Sequence, residues 1–323
     1  MNLRLALYQL ADRHALDAGA TRNLFALAGL ADEPPAVRRW LWPAVAVTGA
    51  ALGGLGLILW LAANWDTLGR AGRFGLLQAL VLAFGVGAAL RPRLAPPLGL
   101  MALLATGGLF AYFGQTYQTG ADPWQLFAVW ALLTLPLCLG VRSDVVWAPW
   151  ALVAVTGISL WVQAHTGHRW RMERQDLGVY AAAWAAMGIV VAALGPWARR
   201  FTGAGPWALR TAGTLAVVGI TMTSIGGLFL RDVGGMYALG VLAFCAAAAA
   251  LALRGAFDIF LLSAVALGLD TLLVAGMGRA MFDIGGGDWV GRLLLLGLAA
   301  AGLLAASVSL ILRLARARGE HVE

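Results

Sequence analysis

The sequence contains no lysine, so its net charge of +7 comes from 23 arginines against 16 acidic residues. The arginines are scattered among short segments instead of being gathered in one stretch. A protein that follows a nucleic-acid backbone needs its basic side chains clustered on one face. The pattern therefore predicts no nucleic-acid partner.

Cysteine and catalytic motifs are equally scarce. Both cysteines, Cys138 and Cys245, lie in apolar stretches, where a thiol behaves as a small hydrophobic group, and we expect no disulfide. The sequence has no glycine-rich phosphate loop, no zinc-binding His-Glu pair and no Gly-x-Ser-x-Gly turn. His165 and His168 are close in sequence, but two imidazoles without a third ligand fall short of a zinc site. We therefore predict no enzyme activity, no metal and no cofactor.

Charged residues make up only 12% of the chain, whereas hydrophobic residues make up 61%. A soluble domain carries about 25% charged and about 45–50% apolar residues, so lipid is expected to be the main solvent. About 20 apolar residues cross the hydrocarbon layer as a helix. Ten such stretches are found at residues 42–63, 74–90, 96–113, 124–141, 145–163, 177–195, 208–230, 234–253, 256–278 and 290–312. They predict an all-α, polytopic transmembrane helix bundle of about ten spans.

The first forty residues lack the uninterrupted apolar region of a secretory signal peptide, because charged residues divide them. Apolar residues recur at helical spacing over residues 2–15 and 18–30, and Asp17 can cap the second segment. We predict two domains, a cytoplasmic helical hairpin at residues 1–40 and the transmembrane helix bundle at residues 41–323.

The positions of the arginines indicate an orientation in the membrane. With ten spans both termini lie on one side, and 15 of the 23 arginines fall on that side. Since cytoplasmic loops carry the excess of arginine, this count places both termini in the cytoplasm of a bacterial inner membrane. One outer loop does not fit this orientation, because it contains three arginines, Arg169, Arg171 and Arg174.

The most distinctive segment is residues 114–124, between the third and fourth spans, which read Gly-Gln-Thr-Tyr-Gln-Thr-Gly-Ala-Asp-Pro-Trp. Gly114 can end the third span in the left-handed conformation. Asp122 before Pro123 is suited to cap the fourth span, and Gln125 can close a capping box.

Three side chains of this segment have no such role, namely Gln115, Tyr117 and Gln118. They either line a wet pocket that binds a ligand or partner, or they only order the loop. Asn64 and Trp65 have two interpretations in the same way. They either bind a ligand or partner, or they mark a helix end in the aromatic belt. The candidate binding site at the outer ends of the first four spans consists of Asn64, Trp65, Arg73, Gln78, Gln115, Tyr117, Gln118 and Asp122.

Residues 114–124, with Leu126-Phe127 and the Trp-Ala-Leu-Leu run at residues 130–133, resemble the signature of domain-of-unknown-function family 2157. The Ala-Asn-Trp-Asp run at residues 63–66, with Arg73 beyond it, is similar to a second motif of this family. The resemblance covers residues 1–145 and implies a multi-spanning bacterial membrane protein without an established activity. Some relatives are encoded near a short exported protein with a Gly-Asp-Tyr motif, which implies an outward-facing partner.

Asp270 is the clearest ionisable residue inside a predicted span, in the outer half of the ninth. An acid there costs about 2.5–3.5 kcal/mol on insertion scales, so it usually faces the bundle interior with a partner. Arg73 or Arg279 can neutralise it, or it can carry a proton and donate to a carbonyl. Its role is either proton or ion coupling, or a structural polar contact.

These sites predict two possible functions. The first is an accessory inner-membrane protein that binds an exported or periplasmic partner protein through an outward-facing polar site. The alternative is a small-solute or ion transporter that uses Asp270. The lipid bilayer is the expected surrounding, and a homo-oligomer is left open.

Overall fold

The computed structural model describes residues 3–29, 41–63, 69–117, 120, 122–167, 174–229, 234–253, 257–283 and 289–317. All regular structure in these ranges is helical, which confirms the all-α prediction. The helices are α1 Leu3–Arg13, α2 Ala18–Leu27, α3 Trp42–Ala63, α4 Arg70–Leu90, α5 Ala95–Tyr117, α6 Pro123–Val141, α7 Asp144–His165, α8 Leu177–Ala193, α9 Arg199–Thr202, α10 Pro206–Phe229, α11 Gly234–Leu251, α12 Ile259–Asp283 and α13 Trp289–Ala317.

The chain divides into two compact units, residues 1–56 and residues 57–323. In the first unit α1 and α2 pair as a helical hairpin, with the rings of Tyr8 and Phe25 4.8 Å apart. Asp17 caps α2, because its side chain accepts a hydrogen bond from the Ala20 amide at 2.6 Å. The boundary predicted between residues 40 and 41 stays a prediction, since residues 30–40 lie outside the described residues.

Each of the ten predicted spans corresponds to one long helix, from α3 to α8 and from α10 to α13. Among the described helices, eight are long and apolar enough to cross a membrane, and α8 and α11 are apolar but shorter. The helix ends extend beyond several predicted limits, because polar residues continue the helical hydrogen-bonding pattern past the apolar run. The largest extensions, of four or five residues, are at the start of α4 and at the ends of α5, α12 and α13.

In the second unit α10 occupies the centre, where it packs against α7, α8, α11 and α12. The helix α5 joins α4 to α6 and α7, while α13 packs on α12. The largest buried cluster includes Leu103, Cys138, Trp147, Ala208 and Leu261, which come from five different helices. Burial of such side chains gives the bundle its tightly packed centre.

Small residues allow the helices of this unit to approach closely. A Cβ atom added at Gly213 of α10 would clash with Leu261 Cδ2 of α12, so a larger residue there would force the Leu261 side chain to move. Gly107 of α5 accommodates the Trp130 ring of α6 in the same way. Cys138 is fully buried and Cys245 is exposed, and both thiols are free.

Within the second unit, consecutive long helices from α4 to α13 run antiparallel, so this unit has two ends. We call one the Tyr117 end, which contains the starts of α4, α6, α8, α11 and α13. The other is the Arg142 end, which contains the starts of α5, α7, α10 and α12.

Polar contacts connect the chain segments at the Arg142 end. Asp144 accepts hydrogen bonds from the backbone amides of Gly205 and Trp207, and so satisfies donors at the start of α10. The indole of Trp147 donates to the Thr202 carbonyl at 2.9 Å. The carboxylate at the start of α7 thus holds the start of α10.

The start of α12 is held at the same end. Asp258 accepts from the Leu261 amide at 2.9 Å and pairs with Arg210 of α10 at 3.2 Å. The Arg210 guanidinium also lies over the rings of Trp207 and Phe260. The carboxylates of Asp144 and Asp258 therefore both stabilise helix starts at this end.

Candidate functional site: the Tyr117 end

The candidate site rests on the pairing of α4 with α5. Leu77 of α4 and Tyr112 of α5 are buried, at 3% and 5% exposure, and form one apolar cluster with Phe74 and Leu109. The spacing of Phe74 and Leu77 on α4 and of Leu109 and Tyr112 on α5 places each pair on one helix face. This contact provides a packed base beneath the end of α5.

Aromatic rings extend this base to the surface. The ring of Phe74 lies 4.6 Å from Tyr112 and 5.7 Å from Tyr117, and the rings of Phe113 and Tyr117 are 4.9 Å apart. We call Phe74, Tyr112, Phe113 and Tyr117 the aromatic cluster. Phe113 is 38% exposed and Tyr117 51% exposed, so the outer half of the cluster is open to contact.

The prediction that Gly114 ends the third span is wrong, because α5 continues to Tyr117. Gly114 lies inside the helix, where an added Cβ would lie 3.0 Å from Leu126 Cδ1 of α6. Its small size therefore serves helix packing. The left-handed residue is Gly120, with φ of 67°.

Asp122 occupies the predicted N-cap position of α6, with extended backbone angles and Pro123 in the first turn. The Gln125 amide donates to the Asp122 backbone carbonyl at 3.0 Å. The Asp122 side chain makes no capping hydrogen bond in the described part of the chain, so the predicted side-chain cap is wrong. A backbone bond and the fixed φ of proline begin this helix instead.

The predicted site residues are distributed over several faces. Arg73 is half-buried next to Phe74, whereas Gln78 and Gln115 are exposed. Gln115 and Tyr117 lie about 200° apart around α5, since each residue of an α-helix turns by about 100°. The fold therefore does not bring these two side chains onto one surface. Asn64, Trp65 and Gln118 lie outside the described residues, and the binding role of the set stays a prediction.

A second aromatic group lies at the same end and was missed as a group by sequence reasoning. The rings of Trp161 and His165 on α7 are 4.5 Å apart, and Trp124 of α6 lies 6.1 Å from His165. His165 Nδ1 is 2.8 Å from the Trp161 carbonyl oxygen. The sequence signal for this aromatic group was the tryptophans at span ends. Tryptophan at such a position indicates only the headgroup layer of the membrane. His168 lies outside the described ranges, and within them no three metal-binding side chains are grouped.

Trp124 and Trp161 border an apolar crevice of about 400 Å³ between α6, α7 and α8. Its floor consists of small residues, among them Ala128, Ala154 and Gly157. The Trp124 Nε1 atom is buried and has no hydrogen-bond partner among the described residues. The crevice thus offers an almost wholly apolar surface.

Asp270 lies in the interior of the bundle, 8% exposed, at the contact between α12 and α13. The Ser307 hydroxyl of α13 donates to Asp270 Oδ1 at 2.9 Å, and Oδ2 is buried without a partner among the described residues. The predicted pairing with Arg279 is wrong, because Arg279 pairs with Asp283 on the same helix at 3.2 Å. Among the described residues, a serine hydroxyl contacts this carboxyl group, and no arginine or carbonyl does.

The helix that carries Asp270 is longer than the predicted span. The helix α12 runs from Ile259 to Asp283, five residues beyond the predicted end of the span. Asp270 is therefore close to the midpoint of the helix, and its placement in the outer half of the membrane stays a prediction.

Comparison with known proteins adds one family. Residues 8–147 match the family model described as "Predicted membrane protein (DUF2157)". The matched range contains residues 114–124 and agrees with the extent of the resemblance noted from the sequence. No curated protein and no solved structure matches the chain. Residues 8–147 are therefore similar to the DUF2157 family of predicted membrane proteins, and eight of the described helices are long and apolar enough to cross a lipid bilayer.

Proposed function

We propose that the Tyr117 end faces away from the cytoplasm and that the aromatic cluster binds an exported partner protein. The observation that carries the proposal is the exposure of Phe113 and Tyr117 over a buried base. Tyrosine and phenylalanine are enriched in protein interfaces, where a rigid ring adds contact area at low entropic cost. The family resemblance suggests a short exported protein with a Gly-Asp-Tyr motif as the partner.

The excess of arginine on the opposite side supports this orientation. Cysteine labelling tests it in a Cys245→Ser background, in which Cys138 stays protected by burial. We expect a membrane-impermeant maleimide to label Gln115→Cys in intact cells. The matched control, Arg200→Cys at the Arg142 end, should react only after the membrane is permeabilised. The reverse pattern would contradict the orientation.

Binding is tested by co-expression with the Gly-Asp-Tyr protein and quantification of the complex after purification. The Phe113→Ala/Tyr117→Ala double variant should lose at least ten-fold of the bound partner, since aromatic anchors dominate interface energies. The control is Phe229→Ala, which removes a 62% exposed ring at the same end but outside the cluster. Equal loss in both variants, or no loss in either, would remove the cluster as the binding surface.

Asp270 supports a second candidate function, proton- or ion-coupled transport of a small solute. A buried carboxyl oxygen without a partner at the middle of a span is typical of such pathways. In reconstituted vesicles Asp270→Asn should abolish coupled flux, whereas Asp283→Asn on the same helix should retain it. Normal flux in Asp270→Asn, with the protein folded, would exclude this mechanism.

A further inference from the structure

The second unit contains a long apolar groove that neither proposal uses. It has a volume of about 350 Å³ and lies between α8, α10, α11 and α12. Trp184 lies at one limit, near the middle of α8, and Trp197 at the other, at the Arg142 end. The distance along α8 from residue 184 to its last residue, 193, is about 14 Å at 1.5 Å per residue. This length suits an extended hydrocarbon chain.

Small residues keep the groove open. Gly188 of α8, Gly213 and Ala216 of α10 and Ala247 of α11 line it. A Cβ added at Gly188 would meet no atom within 4 Å, so space in front of this residue is free. Because water is absent from the hydrocarbon layer and an empty void loses dispersion contacts, a groove open to the bilayer is filled by an acyl chain.

The Arg142 end adds positive charge where the groove reaches the membrane surface. Arg199 and Arg200 follow Trp197 by two and three residues, and both are exposed. The exposed Arg142 donates to the Arg200 carbonyl at 2.8 Å, so its guanidinium lies beside the same turn. Trp197 is 69% exposed, as is typical of a ring in the headgroup layer.

Among the described residues, the nearby acids are held by other groups and form no ion pair with Arg199 or Arg200. Asp144 is engaged by the amides of Gly205 and Trp207, and Asp258 is paired with Arg210. Guanidinium groups bind phosphate through paired N–H donors, and basic pockets between spans recognise anionic headgroups. We propose that this groove binds one anionic phospholipid, with an acyl chain between α8 and α10–α12 and the phosphate at Arg199 and Arg200.

Native mass spectrometry of the full chain, released from detergent with added phosphatidylglycerol or phosphatidylcholine, tests the proposal. The wild-type protein should bind phosphatidylglycerol with at least five-fold preference. Arg199→Gln/Arg200→Gln should lose this preference, whereas Arg313→Gln/Arg316→Gln, with the same charge change at the end of α13, should retain it. Millimolar inorganic phosphate should not displace the lipid, because the acyl chain contributes to binding.

The acyl-chain contact is tested separately by Gly188→Phe, which fills the groove from a position with free space. It should reduce binding of both lipids at least five-fold. The control Gly178→Phe, on the same helix with equally free space but outside the groove lining, should leave binding unchanged. Equal binding of both lipids by the wild type, displacement by phosphate, or lipid binding unaffected by Gly188→Phe would overturn the proposal. A dimer that Gly188→Phe abolishes would assign the groove to a second copy of the chain instead.

Discussion

The Arg142 end and the Tyr117 end belong to the same helices but are connected by different interactions. At the Arg142 end, Asp144, Trp147 and Asp258 bind backbone groups of other segments or helix starts. At the Tyr117 end, Asp122 makes no side-chain cap within the described residues, and aromatic rings pack while leaving Tyr117 exposed. Polar groups committed to structure are not free for a partner protein, so the carboxylates of the Arg142 end stabilise helix starts, whereas the exposed rings of the Tyr117 end stay available for protein contact.

The largest expected effect contrasts two aspartates. Asp144→Ala should lower the free energy of unfolding by about 2–3 kcal/mol, because two backbone amides lose a charged acceptor. Asp122→Ala should lower it by less than about 0.5 kcal/mol. Denaturation in mixed micelles measures the free energy of unfolding of both variants. Equal losses would mean that the Tyr117 end is held by a cap of similar strength.

A pair of tryptophans, one at each end, isolates one hydrogen bond at the Arg142 end. Trp147→Phe should cost about 1–2 kcal/mol more than Trp124→Phe, because both changes remove the same atoms but only Trp147 donates to a carbonyl among the described residues. The same denaturation assay applies. A larger loss for Trp124→Phe would reverse the assignment of the two ends.

Removal of one ion pair should have a smaller effect. Arg210→Gln should cost about 1 kcal/mol, since the Arg210 side chain is 29% exposed and solvent screens part of its attraction to Asp258. Asp258→Asn should cost at least as much, because that side chain also accepts the Leu261 amide at the start of α12. If Arg210→Gln proves the more damaging, the contacts of Arg210 with Trp207 and Phe260 outweigh the ion pair.

The smallest effect is expected for Gln115→Ala, with a change in unfolding free energy below about 0.5 kcal/mol and no loss of partner binding. Gln115 lies on the side of α5 away from Tyr117, so it should not share that surface. Purification of the complex with the Gly-Asp-Tyr protein measures the amount of bound partner. Loss of the partner in this variant alone would extend the binding surface around α5.

Sequence reasoning found all ten long helices because the length of an apolar run depends only on the thickness of the hydrocarbon layer. The prediction from sequence failed where the same residue type can serve either of two structural roles. Gly114 matched the pattern of a helix end, but the side chain of Leu126 on α6 requires a small residue there. Asp270 was recognised as a buried acid, yet its contact with Ser307 joins residues 37 positions apart, which no local pattern encodes.

Local composition and periodicity thus determined three features: the expected lipid surroundings of the long helices, the helices themselves, and the hairpin formed by α1 and α2. Each of these features depends on residues that are close in sequence. Tertiary packing decided which polar groups meet. It turned Asp144 toward α10 and Asp270 toward Ser307. The physical reason is that side-chain contacts between helices depend on the rotation of each helix about its axis, which is set only when the helices pack.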